Sequence, residues 1–247
     1  MDSIEEKVAL ITGASQGLGR VIAIELAKAG CRVVINYANN RENAENVKAE
    51  IEKLGGDVRI ARCDVGDETA VNEMFSGLGQ VDILVNNARL DPWRRTEKMS
   101  EGEWFDQVIR VNLKGAFLTS GAFFAQAKPR KWGRIVNMTS VRSFRPAEMN
   151  MIAYGVSKLG MHALTRAFAH NGAPFGITAN TVAPGMIVTE NINKRLTSEK
   201  YAEESAAIPL GRGATCEEIA DAVIFTLRNG YVTGETININ GGMYYAP

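Results

Sequence analysis

The sequence predicts an α/β protein built on a parallel, doubly wound sheet. Short apolar runs alternate with longer amphipathic stretches along the chain, and no Pro-, Gly- or Ser-rich linker interrupts this alternation. Strands that alternate with helices favour right-handed crossovers, which make the sheet parallel and cover both of its faces. A doubly wound sheet often fills a chain of 247 residues as one unit, so we expect a single domain over residues 1–247.

The predicted elements follow one another in regular order. Seven apolar runs have the length of buried strands, and they are residues 8–11, 33–35, 58–61, 83–85, 135–138, 177–182 and 236–239. Helical spacing predicts helices at residues 18–29, 41–54, 67–76, 101–125, 152–170 and 215–228. Ligands of such sheets bind beyond the carboxyl ends of the strands, so we expect functional residues after strands 1, 4, 5 and 6.

Composition excludes several classes of partner. Lys+Arg and Asp+Glu are both 28, so the net charge of zero does not favour a nucleic acid or a membrane surface. No apolar run approaches the roughly 18 residues of a membrane helix, and the acidic start of the chain is unlike a secretory signal. We therefore expect a cytoplasmic protein. The three cysteines are scattered and have no histidine cluster near them, which predicts neither disulfides nor a metal site.

A glycine-rich loop follows the first strand and leads directly into a helix. Glycines in such a loop permit a tight turn and let the backbone approach a pyrophosphate, which the free N–H groups of the helix then bind. A glycine loop alone is a weak signal, but its place in the first βαβ unit predicts a dinucleotide site. The loop residues expected at the cofactor are Gly13, Ser15, Gln16, Gly17, Leu18 and Gly19.

The end of strand 2 bears on which dinucleotide is bound. An acid there would bind the 2′-hydroxyl of NAD and repel the 2′-phosphate of NADP. Residues 36–41 contain no acid, and Tyr37 is the cofactor candidate of this segment, so the sequence favours NADP(H) over NAD(H). Asp64 closes strand 3, where it suits either a hydrogen bond to the adenine or a turn-capping role.

Tyr154 and Lys158 stand at i and i+4 on one face of a predicted helix. A phenol with a pKa near 10 is a poor proton shuttle at neutral pH, and a neighbouring ammonium lowers that pKa. A Tyr/Lys pair alone is more often a solvated helix face. Ser140 alters that balance, because it ends strand 5 at the ligand edge and its hydroxyl could bond a substrate carbonyl. Asn112 is a further candidate, as it does little to stabilise its own helix.

Taken together, these motifs resemble the short-chain dehydrogenase/reductase family from residue 7 to about residue 242. The resemblance implies a Rossmann-like sheet in the order 3-2-1-4-5-6-7 and an NAD(P)-dependent transfer of hydride between a nicotinamide and a ketone or secondary alcohol. Tyr154 would be the general acid/base, Lys158 would lower its pKa and bind the ribose, and Ser140 would orient the substrate oxygen. Asn112 would hold a proton-relaying water. Further implied cofactor contacts are Val65, Asn87, Ala88, Pro184, Gly185, Ile187 and Thr189.

The same resemblance implies a homotetramer in which the Tyr154 helix forms part of an interface. Within the family, it extends to 3-oxoacyl-acyl-carrier-protein reductases and glucose-type dehydrogenases. One departure concerns Arg89, which stands where the family usually has glycine. Two other functions stay open: an isomerase or lyase relative, and a nucleotide-sensing binding protein without catalysis. The first usually has a longer substrate domain and a different glycine spacing.

Two loops expected at the substrate mouth are rich in arginine. Residues 89–96 and 141–151 carry two acids, Asp91 and Glu148, against five arginines, which are Arg89, Arg94, Arg95, Arg142 and Arg145. Because the guanidinium fork suits carboxylates and phosphates, this excess predicts an anionic substrate, with Arg142 and Arg145 nearest the reacting centre. The alternative is that these side chains face solvent or form surface ion pairs. The basic segment 128–131 is either a carrier-protein docking site or a solvated loop.

Overall fold

A computed structural model describes residues 1–145, 148–189 and 197–245. Within this part of the chain, seven strands form one parallel sheet in the order β3-β2-β1-β4-β5-β6-β7. The fold class and the strand order implied by the family resemblance are therefore confirmed. The strands are β1 (Val8–Ile11), β2 (Arg32–Tyr37), β3 (Val58–Arg62), β4 (Ile83–Asn86), β5 (Gly133–Met138), β6 (Ile177–Pro184) and β7 (Thr236–Ile239).

The helices lie on both faces of the sheet. They are α1 (Gly17–Lys28), α2 (Arg41–Lys53), α3 (Glu68–Leu78), α4 (Glu101–Val108), α5 (Gly115–Ala127), α6 (Ile152–Gly172), α7 (Ser198–Ala206) and α8 (Cys216–Arg228). Helices α1, α2 and α8 bury their apolar faces against one side of the sheet, and α3, α5 and α6 cover the other. Alternate residues of β1 divide between the two cores, as Ile11 belongs to the first and Leu10 to the second. None of the described helices combines the length and the hydropathy needed to cross a bilayer.

Two differences from the expected elements affect the site. The single helix expected at residues 101–125 is divided by a π-helical segment, Ile109–Lys114, which carries Asn112 between α4 and α5. A π-segment widens the helix locally and is often found at functional sites. Helix α7 was not expected, because its short polar sequence has weak periodicity. It begins where Thr197 accepts a hydrogen bond from the backbone N–H of Lys200.

Candidate active site

The glycine loop packs closely against the segment that follows β4. Gly13 has φ +62°, and a Cβ atom there would lie 2.9 Å from the Cα of Ala88. A Cβ on Gly19 would lie 2.5 Å from Nδ2 of Asn87, so both positions require glycine. The first turn of α1 carries no acidic side chain, and its N-cap residue, Gln16, makes no side-chain capping bond. The N–H groups at the start of α1 therefore remain available to an anion.

Thr12 and Asn87 hold the loop and the β4 segment together. Thr12 Oγ1 accepts hydrogen bonds from the backbone N–H groups of Asn87 (2.9 Å) and Ala88 (3.0 Å). Asn87 Nδ2 donates to the carbonyls of Thr12 (2.9 Å) and Gly13 (3.1 Å). Asn87 Oδ1 is buried and finds no donor among the described residues. An unpaired buried acceptor beside a helix N-terminus fits a dinucleotide, whose ribose hydroxyls can donate to it.

The adenosine end differs in detail from the expected contacts. The side chain of Tyr37 is buried in the hydrophobic core, so only its main chain is left to face a ligand. Asp64 Oδ1 accepts from the backbone N–H of Gly66 (2.9 Å), and its Oδ2 lies 2.8 Å from Arg110 Nη1. The carboxylate thus performs the turn-capping role that the sequence left open. Arg62 donates from Nε to the Ala38 carbonyl (3.3 Å), which brings a cation to the end of β2.

Ser140, Tyr154 and Lys158 meet at the carboxyl edge of the sheet. Ser140 caps a short turn, Val141–Ser143, as its Oγ accepts from the backbone N–H of Arg142 (3.2 Å). Burial raises the pKa of Tyr154, while the positive charge of Arg89 and a hydrogen bond with Ser140 act in the opposite direction. The phenol is therefore held in its protonated form at neutral pH, which suits a proton donor.

Lys158 is almost completely buried, at 1% exposure. Its Nζ donates to the Met138 carbonyl (2.8 Å) and lies 5.7 Å from the centre of the Tyr154 ring. Burial, assisted by the charge of Arg89, lowers the pKa of Lys158 to about 7. The lysine therefore titrates near neutral pH in the protein without cofactor.

Asn112 connects the β4 loop with the catalytic helix. Its Oδ1 accepts from the backbone N–H of Leu90 (2.7 Å), and its Nδ2 donates to the Leu90 carbonyl (3.3 Å) and to Ser157 Oγ (3.2 Å). Ser157 Oγ in turn donates to the carbonyl of Tyr154 (2.7 Å). The π-segment thus directs Asn112 at both elements that border the site.

The five arginines of the two loops are not equivalent. Arg89 Nε lies 2.6 Å from Asp91 Oδ1, and the charge of Arg89 affects the pKa values of both Tyr154 and Lys158. The charge of Arg142 also opposes the effect of burial, which raises the pKa of Tyr154. Of the other three, Arg95 pairs with Glu101, and Arg94 and Arg145 are exposed. Arg89 and Arg142 are therefore the arginines that affect the reacting group, whereas the sequence favoured Arg142 and Arg145.

The segment after β6 closes the other side of the site. A Cβ on Gly185 would lie 2.9 Å from the Cα of Asn240, so the chain leaves Pro184 through a position that excludes a side chain. Ile187 forms a bridge with Ala214. Thr189 is the last residue described in this part of the chain. Of the other expected residues, Ser15 and Val65 lie in the loops that follow β1 and β3, and Leu18 lies in the first turn of α1.

One polar residue at this edge was missed from the sequence. His162 lies on α6, is buried, and bonds a residue of the Ser140 turn. A signal existed, since His162 continues the i, i+4 series of Tyr154 and Lys158 along one helix face. The sequence indicated only Tyr154 and Lys158, because an isolated histidine on a helix has no specific signature.

The arrangement described so far defines a nicotinamide-dependent oxidoreductase of the α/β class, and comparison with known proteins identifies its family. The family described as short chain dehydrogenase matches residues 7–200, and this chain belongs to it. The 3-oxoacyl-[acyl-carrier-protein] reductase FabG of Staphylococcus aureus is 39% identical over 96% of this chain and 98% of its own. The acetoacetyl-CoA reductase of Rhizobium meliloti is 37% identical over 97% and 99%.

A solved structure agrees with these sequence relatives. The 3-oxoacyl-[acyl-carrier protein] reductase from Brucella melitensis superposes with a TM-score of 0.91 and 29% identity, covering 99% of this chain and 93% of that one. The protein is an NAD(P)-dependent oxidoreductase that transfers hydride between the cofactor and a ketone or alcohol, as the sequence predicted.

Proposed function

We propose that this chain is an NADPH-dependent reductase of a 3-oxoacyl group attached to an anionic carrier. The observation that carries the proposal is the convergence of Ser140, Tyr154 and Lys158 with two arginines, Arg89 and Arg142, at one edge of the sheet. The names of the sequence relatives support the 3-oxoacyl group, since acetoacetyl-CoA is itself a 3-oxoacyl thioester. A phosphate-bearing carrier such as coenzyme A would supply the anion. We further propose that residues 1–247 act as one cytoplasmic domain.

The residues of the chain divide the chemistry between them. Bound NADPH supplies the hydride that the carbonyl carbon receives. Tyr154 donates a proton to the carbonyl oxygen, and Ser140 Oγ donates a hydrogen bond to the same oxygen as charge develops there. Lys158, when protonated, stabilises the phenolate that remains. Asn112 holds the β4 loop against the catalytic helix through Leu90 and Ser157, and we retain the proton-relaying water as its further role.

Arg142 is expected to bind the anionic part of the substrate. Replacing Arg142 with alanine should raise KM for acetoacetyl-CoA about tenfold, because a charge-assisted hydrogen bond is lost. KM for an uncharged 3-oxo ester should change by less than about twofold, since that substrate never made the contact. Initial rates followed at the nicotinamide absorbance measure both values.

The matched control is Arg145→Ala, which removes an exposed arginine from the same loop and should change neither KM. Equal responses of the charged and uncharged substrates to Arg142→Ala would show that this arginine is part of the scaffold. In that case the proposed contact between Arg142 and an anionic group of the substrate would be wrong.

The end of β2 supports NADPH as the preferred cofactor. Residues 36–41 lack an acid, and Arg62 lies at the end of the neighbouring strand with its guanidinium at the Ala38 carbonyl. Arg62→Ala is expected to lower kcat/KM for NADPH about tenfold and to leave NADH nearly unchanged, because only NADPH carries the 2′-phosphate.

Arg59→Ala is the control for this experiment. Arg59 lies three residues earlier on the same strand and is exposed, with its guanidinium at the Leu78 carbonyl. Replacing Arg59 should change kcat/KM for NADPH and for NADH by the same factor. A parent enzyme that prefers NADH would contradict the assignment. Tyr37 is unsuitable for such tests, because its ring is part of the core.

We also propose a homotetramer that uses the outer surface of α4, α5 and α6. Several large apolar side chains on these helices face solvent in the single chain, which supports an interface there. They are Phe105, Phe117, Ile152, Val156 and Leu159. The Tyr154 helix would then be braced by a second copy.

The position of the basic segment 128–131 in the fold argues against a carrier-protein docking site there and supports a solvated loop. Arg130 is partly buried and contacts Asp82 (3.1 Å) and the Val81 carbonyl. The segment precedes β5, whereas Ser140 follows it, and a strand of six residues is about 20 Å long. A carrier bound at residues 128–131 would therefore be at the edge opposite the catalytic groups.

A further inference from the structure

His162 lies beneath the catalytic edge without belonging to the reacting groups. It is 3% exposed and follows Tyr154 by eight residues and Lys158 by four, so all three share one face of α6. Nothing in the proposed chemistry uses this imidazole. Its burial therefore requires another reason, because a buried polar ring must be hydrogen-bonded to be tolerated.

The two ring nitrogens of His162 contact different parts of the fold. Nε2 lies 3.0 Å from Ser143 Oγ, in the turn that Ser140 caps. Nδ1 lies 3.1 Å from Thr236 Oγ1 and 3.3 Å from Thr181 Oγ1, on β7 and β6. The imidazole thus joins the catalytic turn to two strands of the sheet.

The directions of these hydrogen bonds follow from their partners. Ser143 Oγ donates its only hydrogen to the carbonyl of Ser140, so it must accept from His162 Nε2–H. In the neutral ring, His162 Nδ1 is then an acceptor, and the hydroxyl of Thr236 or of Thr181 can donate to it. Thr181 Oγ1 lies 2.7 Å from Thr236 Oγ1 and 3.2 Å from the Glu235 carbonyl, to which it can donate. A neutral ring with its proton on Nε2 therefore has a hydrogen-bond partner at each nitrogen.

Aromatic packing fixes the same turn from the side. The Phe144 ring lies 4.7 Å from the His162 ring, centre to centre, and stacks on Tyr244 at 5.1 Å with an interplanar angle of 6°. His162 therefore contacts both Ser143 and Phe144. Ser143 is thus held by a hydrogen bond, and Phe144, which directly follows the turn, is held by ring packing.

We propose that neutral His162 is a positioning residue that fixes the Ser140 turn, and through it the Ser140 hydroxyl, against the catalytic helix. The inference rests on the proposed function only in giving Ser140 its role toward the carbonyl oxygen. Burial, with the charges of Arg166 and Lys158, lowers the pKa of His162 to about 4, which keeps the ring neutral under working conditions.

Leucine and glutamine at position 162 separate the hydrogen bond from simple packing. His162→Leu fills a similar volume but donates nothing to Ser143, and kcat should fall about 50-fold, as expected when a catalytic group is misplaced by about 1 Å. His162→Gln retains an amide that can donate to Ser143 Oγ, and kcat should stay within about fivefold of the parent. The Kd for NADPH should change by less than about twofold in both variants, because the network does not reach the glycine loop.

Thr165→Val is the matched control. Thr165 is buried one turn further along α6, and its hydrogen bonds among the described residues are with Asn137 (2.8 Å) and the Met161 carbonyl (2.8 Å) and not with the Ser140 turn. Its loss should lower the melting temperature without a comparable loss of kcat. If His162→Leu does not fold, Ser143→Ala removes the same link at lower cost and should reproduce the fall in kcat.

Three outcomes would overturn the inference. His162→Leu could melt at a lower temperature yet keep kcat within about twofold of the parent, which is the behaviour of a purely structural residue. His162→Gln could be as slow as His162→Leu, which would exclude the hydrogen bond. A parent without turnover on any 3-oxo substrate would overturn the proposed function as well, and this result is distinguishable from the first two, in which the parent is active.

Discussion

Replacing Tyr154 with phenylalanine is expected to lower kcat by about 10³-fold or more while the Kd for NADPH stays within about twofold. The change deletes the hydroxyl that donates the proton and hardly alters the surface of the ring. Burial raises the pKa of this phenol, so the parent holds the proton in place at neutral pH. Single-turnover rates, together with a fluorescence titration of NADPH, separate the chemical step from cofactor binding.

Tyr201→Phe provides the control for this experiment. Tyr201 is a partly exposed tyrosine on α7, away from Ser140 and Lys158 in sequence, and its hydroxyl has no assigned role. Its loss should leave kcat unchanged. Turnover of Tyr154→Phe within about tenfold of the parent would remove Tyr154 from the proposed mechanism.

Lys158→Met is expected to reduce kcat about 100-fold and to weaken NADPH binding about tenfold, because the ammonium supports the phenolate and is proposed to bind the ribose. Methionine keeps much of the buried volume of the lysine stem. An unchanged Kd for NADPH would contradict the ribose contact. A reduced affinity for NADPH with an unchanged kcat would instead show that Lys158 does not support the Tyr154 phenolate.

The parent and the Lys158→Met variant are also expected to differ in how their stability depends on pH. Burial lowers the pKa of Lys158 to about 7 from its ordinary value of 10.5, so between these pH values the unfolded chain binds more protons than the folded one. The free energy of unfolding of the cofactor-free parent should therefore rise from pH 7 to about pH 8.5, and this contribution is absent below pH 7. Lys158→Met should lack the rise. The free energies of unfolding come from urea denaturation at each pH. If parent and variant showed the same change with pH, the lowered pKa of Lys158 would be contradicted.

The sequence predicted the sheet well because buried parallel strands have a strong local signature. All seven apolar runs became strands, and β1 and β7 have the bounds that their sequences indicate. The catalytic Tyr154 and Lys158 were identifiable because a helix places i and i+4 residues side by side whatever surrounds them. The glycine loop was identifiable because Gly13 and Gly19 are required by close backbone contacts.

Features that depend on tertiary contacts were less accessible. The π-segment around Asn112 has no sequence signature, since its geometry arises from packing against the β4 loop. Tyr37 was expected at the cofactor because it ends a strand, but the alternation of the strand directs its ring into the core. The distinction between Arg89 and the exposed Arg145 required knowledge of which loop folds over the catalytic helix. His162 was missed because its partners come from three separate elements.

The shared face of α6 restricts how this part of the chain can change. Tyr154, Lys158 and His162 are aligned only because each is four residues from the next, and one residue turns a helix by about 100°. An insertion or deletion between Tyr154 and His162 would rotate one group away from the other two. Substitutions on the outer face, at Val156 or Leu159, leave this alignment intact. Between residues 154 and 162, the active site therefore constrains the number of residues more strongly than the identity of those on the outer face.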